Sequence, residues 1–129
     1  MSERPAIVQI HETDNRDRDL AEVTITLSYQ DAEYVGTAQG DPDITMRPRL
    51  VGEATLRAVE DVTEGRVHLN LEAIATTALG TSQVAVAEVR IEGDSSTLVG
   101  SAMLGEADRS AATVRAVLDA INRRLETVL

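Results

Sequence analysis

Along the chain the spacing of apolar residues changes in a fixed order, and that order occurs twice. Ala6-Ile7-Val8-Gln9-Ile10-His11 is a short β-branched run, broken by the solvated turn Asp14-Asn15-Arg16-Asp17-Arg18-Asp19. Val23, Ile25 and Leu27 then alternate with Thr24, Thr26 and Ser28, the period of two that a half-buried strand requires. Gln30-Asp31-Ala32-Glu33 turns the chain, and Tyr34 to Gln39 form a third strand, so that 23–39 read as an antiparallel hairpin. Gly40-Asp41-Pro42-Asp43 ends the strands. Val51, Ala54, Ala58 and Val62 follow at helical spacing, with Pro48 in a first turn whose N–H groups are unpaired anyway and Gly65 as the stop.

The second pass keeps the order. Val67, Leu69 and Leu71 alternate, running on to Ile74 and Ala75, and Leu79-Gly80-Thr81-Ser82 turns back. Val84, Val86, Val89 and Ile91 continue as strand, and the alternation slips by one near Ala87-Glu88, which predicts a bulge there. Gly93-Asp94-Ser95-Ser96 is a hairpin turn and Thr97 to Leu104 return. Asp108 or Ser110 caps the last helix, whose core stripe is Val114, Val117, Leu118, Ile121, Leu125 and Val128.

Literal matches reinforce the repeat. Val35-Gly36-Thr37-Ala38 returns as Val99-Gly100-Ser101-Ala102, 64 positions on, and Ala54-Thr55-Leu56-Arg57-Ala58-Val59 returns as Ala112-Thr113-Val114-Arg115-Ala116-Val117, 58 positions on. The difference falls between the blocks, around Gly40-Asp41-Pro42-Asp43. The expected architecture is one α+β domain over 1–129, with repeats at about 6–64 and 67–129. Each repeat is a βββα unit. The strands form a mostly antiparallel sheet with two helices on one face, related by a pseudo-two-fold axis. A sheet covered on one face only invites a second copy, so a homodimer is expected.

Composition narrows the partners. With 129 residues the chain is long enough for one hydrophobic core, and 43% of it is apolar. There is no Phe or Trp, and Tyr29 and Tyr34 are the only aromatics, so the interior is built from Val, Leu, Ile, Ala and Met. The formal charge is −10 and every basic residue is Arg, an acidity that repels nucleic acid and anionic membrane alike. Cysteine is absent, excluding disulfides and thiolate chemistry. Met1-Ser2-Glu3-Arg4-Pro5 has no signal-peptide pattern and no apolar run approaches the ~20 residues of a span, so a cytoplasmic location is expected.

Candidate chemistry is sparse. His11, with Glu12 and Asp14 nearby, reads as solvated, and His68 points to solvent or to a subunit contact; neither sits in a metal-ligand spacing. Counted from Asn15, a calcium loop would need Gly at Leu20 and Glu at Thr26, so the charged run is a turn. Ser101 lacks a nucleophile elbow, and no carboxylate pair stands out for acid–base work, so no catalytic residue, metal or cofactor is assigned and the chain is read as a non-enzyme. Gly36 and Gly100 recur in the repeat and mark a close approach of backbone, either to a ligand or to the packed helix. Arg57 and Arg115 match by repeat and either pair with Glu60, Glu53 or Asp119 or hold an anion.

The tail, from Gly100-Ser101-Ala102 through Asp108 to Ala112-Thr113-Val114-Arg115-Ala116-Val117-Leu118-Asp119-Ala120-Ile121-Asn122-Arg123-Arg124-Leu125, resembles the C-terminal regulatory domain of 2-isopropylmalate synthase. That family has a Gly-x-Gly strand, an acidic turn and a helix ending in Ala-[Leu/Ile]-Asn-Arg, within a duplicated βββα domain. The resemblance implies a dimeric domain that binds leucine as a feedback inhibitor, near the Gly-x-Gly strand and the start of the following helix. Ala102 stands where the family has its second glycine, and Gly40-Asp41-Pro42 replaces its Gly-Asp-Gly-Pro turn. No synthase chemistry carries over. The expected function is a small-molecule-binding or regulatory domain, the alternative being a structural module that docks a protein. The expected ligand site lies where the Val99–Met103 strand, with Gly100 and Ala102, meets the helix after Asp108, and its pseudo-equivalent lies around Val35–Gln39, with Gly36 and Ala38; backbone amides near Gly100 and the capping region hold a carboxylate.

Overall fold

The structure, a computed structural model, describes residues 4–105 and 108–129. It has strands β1 (Ala6–Asn15), β2 (Leu20–Tyr29) and β3 (Ala32–Gly40), then helix α1 (Arg47–Val62). Strands β4 (Leu69–Leu79), β5 (Ser82–Ile91) and β6 (Thr97–Met103) follow, then helix α2 (Arg109–Val128). The duplicated βββα order and the α+β class are as the periodicity implies. The strands divide into two antiparallel sheets, β1-β2-β3 and β4-β5-β6, each carrying its own helix.

The duplication runs deeper than the literal matches. Strands β1 and β4 each break register once, between Ile7 and Gln9 and between Leu71 and Ala73, at positions 64 apart. Gly36 lies opposite Ile25 and Gly100 lies opposite Ala87, so the outer strands correspond at 64 and the central ones at 62. The bulge expected at Ala87-Glu88 is therefore on the facing strand, at Glu72. β5 itself alternates without interruption: Ala85, Ala87 and Val89 face the helix and are fully buried. The slip in its pattern arose because the outward residues Val84 and Val86 are also apolar.

Both helices are placed by their stripes. Val51, Ala54, Ala58 and Val62 are buried on α1, and Val114, Val117, Leu118, Ile121 and Leu125 on α2. Pro48 lies in the first turn of α1, and Gly65 at φ +77° donates its N–H to Glu60 O at 3.0 Å, satisfying a carbonyl left open by the helix end. The inner face of β2 (Ala21, Val23, Ile25, Leu27) is wholly buried beneath α1. With no large aromatic to fill space, the layers must approach closely. Gly36 and Gly100 permit this: a Cβ at Gly36 would lie 2.1 Å from Ala58 N, and one at Gly100 would lie 2.2 Å from Ala120 N.

Those two contacts correct the helix alignment. Gly36 abuts Ala54 and Ala58, whereas Gly100 abuts Ala116 and Ala120, so the helices correspond spatially at 62 rather than 58. The literal match at 58 is one helical turn out of place, because an amphipathic stripe repeats nearly as well after four residues.

Candidate functional site

The two pseudo-equivalent places expected to bind a ligand lie on separate sheets. Gly36 and Ala38 lie on β3, while Gly100 and Ala102 lie on β6 of the other sheet. The space beside each glycine is filled by helix backbone, which is the packing alternative read from the sequence. Ala38 and Ala102 pack, partly buried, against the core. Asp108 caps α2, its carboxylate accepting from Ala111 N at 2.8 Å, so that helix N-terminus already has its own anion. Gly100 meets α2 at Ala116 and Ala120, in its third and fourth turns, away from this cap.

A cleft of about 460 Å³ opens instead where the two repeats meet at the starts of both helices. Glu12 and Asp14 reach it from the inward-facing side of β1, opposite Val23 and Ala21. The 3₁₀ turn Ile44–Met46 and Pro48 form an apolar lip, with Ile44 80% exposed. Asp43 fixes that turn by accepting from the backbone N–H and the hydroxyl of Thr45, each at 2.9 Å. Those same bonds, the backbone one foremost, hold its carboxyl below the usual carboxylate range.

Charge in the cleft is uneven. Arg47 binds Glu12 Oε1 at 3.1 Å and Asp14 Oδ1 at 2.6 Å, and its side chain is only 20% exposed. Its Nε–H is buried with no acceptor among the described residues. Glu12 Oε2 accepts from Ser110 Oγ at 3.1 Å, so one carboxylate ties β1 to both helices. Arg109, at the start of α2, lines the same cleft and its guanidinium has no partner among the described residues. A buried donor and a free guanidinium beside an apolar lip fit a small anion with an aliphatic tail, and Asp14 is placed for an ammonium group.

The repeat-matched arginines behave differently. Arg57 pairs with Glu60 at 2.9 Å, as its spacing implies, and also donates to Leu69 O. Arg115 has no partner among the described residues. His11 and His68 are exposed, and among the described residues no three His, Asp or Glu side chains are grouped to hold a metal ion. No described helix is long and apolar enough to cross a membrane.

Nothing in the sequence singles out Arg47 or Arg109, and there Glu12 stands only beside His11 and Asp14 only beside it and in the charged turn. One signal for them was available: Glu12 and Asp14 share the inward parity of Ile10, so charged side chains there must meet a counter-charge. No protein-family model matches the chain, and no curated protein matches it.

Proposed function

We propose that this chain is a non-catalytic small-molecule-binding domain of regulatory type, taking an aliphatic amino acid or small carboxylate in the cleft between the repeats and acting as a dimer. The observation that supports this reading is the unsatisfied Arg47 Nε–H in a cleft that also holds the unpaired Arg109. A bound carboxylate supplies the acceptor that the fold withholds. The resemblance of the tail to the synthase regulatory domain agrees in kind of ligand, while the site moves from the glycine strands to the helix starts.

A thermal-shift panel of amino acids and small carboxylates tests the reading. At about 100 times Kd a ligand adds roughly 2.7 kcal/mol, enough to raise Tm by roughly 10 °C in a domain of this size. Arg109→Gln is expected to abolish the shift. If no compound moves Tm, the ligand reading is wrong.

The dimer rests on an internal comparison of the two outward sheet faces. At matched positions the first sheet carries Gln9, His11, Glu22, Thr24 and Gln39, and the second carries Ala73, Ala75, Val84, Val86 and Met103. Leu79, Val99 and Met103 there are 65%, 59% and 52% exposed. At these positions the first face is polar and the second apolar, although Glu88 and Arg90 also stand on the second. Met103→Glu would place a charge in the proposed interface and is expected to weaken association about tenfold or more, measured by light scattering across a dilution series. A wild-type monomer at all concentrations would remove the dimer and favour docking of another protein on that face.

A further inference from the structure

The two repeats grip one another through junctions that should be alike and are not. At the first, α1 is fastened to the start of β4: Leu69 N–H donates to Glu60 Oε2 at 2.7 Å, Arg57 donates to Leu69 O, and Arg49 donates to Leu71 O at 2.9 Å. A carboxylate and a guanidinium from one helix face thus bracket the backbone of one residue, Leu69. At the reciprocal junction α2 meets the start of β1 with fewer ties, the exposed pair of Glu126 with Arg4 at 2.8 Å standing just before Pro5. The strand relation of 64 puts Pro5 in the place of Leu69, and the helix relation of 62 puts Asn122 in the place of Glu60. Pro5 has no N–H to give. Asn122 Oδ1 is accordingly buried with no partner among the described residues.

The gap is a cleft of about 490 Å³, with Pro5, Ile7, Arg115, Leu118, Asp119 and Asn122 in its wall. Asp119 Oδ2 accepts from Ser101 N at 2.9 Å and keeps its negative charge, while the Arg115 guanidinium has no partner among the described residues. Buried polar atoms in folded proteins nearly always find a partner, so an orphaned acceptor beside a free guanidinium asks for a donor and an anion together. The acceptor is a neutral amide oxygen where the sealed junction has a carboxylate. At the sealed junction the donor in this place is a backbone N–H, that of Leu69, which favours a peptide N–H here.

We propose that this cleft binds a small carboxylate bearing a peptide N–H, that is, an N-acylated amino acid or a dipeptide. The N–H donates to Asn122 Oδ1 and the carboxylate pairs with Arg115, while Ile7 and Leu118 take an aliphatic side chain. The ligand supplies from outside the N–H that Leu69 supplies at the sealed junction. This site is separate from the cleft at the helix starts and does not depend on it.

The test is an NMR titration of the ¹⁵N-labelled full chain with N-acetyl-L-alanine, its N-methyl analogue, which lacks the N–H, and free L-alanine. N-acetyl-L-alanine is expected to shift the Asn122 side-chain amide and the backbone of Ala6, Ile7 and Leu118. The N-methyl analogue is expected to bind about tenfold more weakly or worse, the loss of one well-placed hydrogen bond to a buried group. Pro5→Ala restores an N–H to the strand and is expected to weaken the ligand about tenfold by competing for Asn122. Arg115→Gln, at an exposed position, is expected to weaken it as much, whereas Arg109→Gln leaves it unchanged and so separates this site from the other. Equal binding of the two acetylated compounds, equal binding of free alanine, or no shift at millimolar ligand overturns the proposal.

Discussion

Alanine at Gly36 or at Gly100 is expected to cost about 3 kcal/mol or more, a large share of the roughly 5–15 kcal/mol that holds a typical domain folded. The added Cβ would lie 2.1–2.2 Å from Ala58 N and Ala54 O in the first repeat, and 2.2–2.3 Å from Ala120 N and Ala116 O in the second. These are backbone atoms in mid-helix, so relief requires the whole helix to lift from its sheet. Lifting is opposed by Asp61, which accepts from Val35 N at 3.3 Å, and by Asp119, which accepts from Ser101 N at 2.9 Å. It would also open the small-residue core, whose dispersion contacts fall off steeply with a gap of a fraction of an ångström. Gly40→Ala is the control: its Cβ would meet only the Leu50 side-chain tip, at 2.9 Å, which can rotate away. Urea denaturation of the three variants should show two severe losses and one mild one. A cost below about 1 kcal/mol at Gly36 and Gly100 would mean that the helices are not seated on those glycines.

The second large effect is expected at the sealed junction and not at its open counterpart. Glu60→Ala should cost about 2–3 kcal/mol, chiefly because Leu69 N–H loses its acceptor on a residue only 2% exposed. The ion pair with Arg57 adds little to this, since the Arg57 side chain is 44% exposed and water screens it. Asn122→Ala, at the corresponding place, removes an oxygen with no partner and should change stability by about 0.5 kcal/mol or less in either direction. Parallel denaturation of the two variants checks the contrast. Equal losses would show that the junctions are energetically alike and that Asn122 is paired in solution.

Much of the architecture was legible because it is local. Alternation at Val23, Ile25 and Leu27 names the buried face of β2, and the stripes of α1 and α2 name theirs. The Pro48 start and Gly65 stop depend only on backbone geometry and were readable for the same reason. What periodicity does not encode is which strand edges pair, so the expected sheet divides into two. The glycines were correctly legible as points of close approach, but what approaches is a helix. The matched helix blocks misled by a turn, since sequence likeness and spatial likeness differ by four residues in an amphipathic repeat.

The candidate site was far less legible. Glu12, Arg47 and Ser110 meet only because β1 and the starts of both helices converge, and nothing near any of them in the sequence points to the others. The orphaned Asn122 is invisible without the sealed junction for comparison, and that comparison needs the spatial register of the repeats.

The binding reading is tested most directly by titrating the ¹⁵N-labelled chain with an aliphatic amino acid and mapping the shifted amides. The predicted result is saturable shifts confined to Ile44, Arg47, Arg109 and Thr113, lost in Arg109→Gln. Unmoved resonances at millimolar ligand, or shifts centred on Gly36 and Gly100 instead, would contradict it.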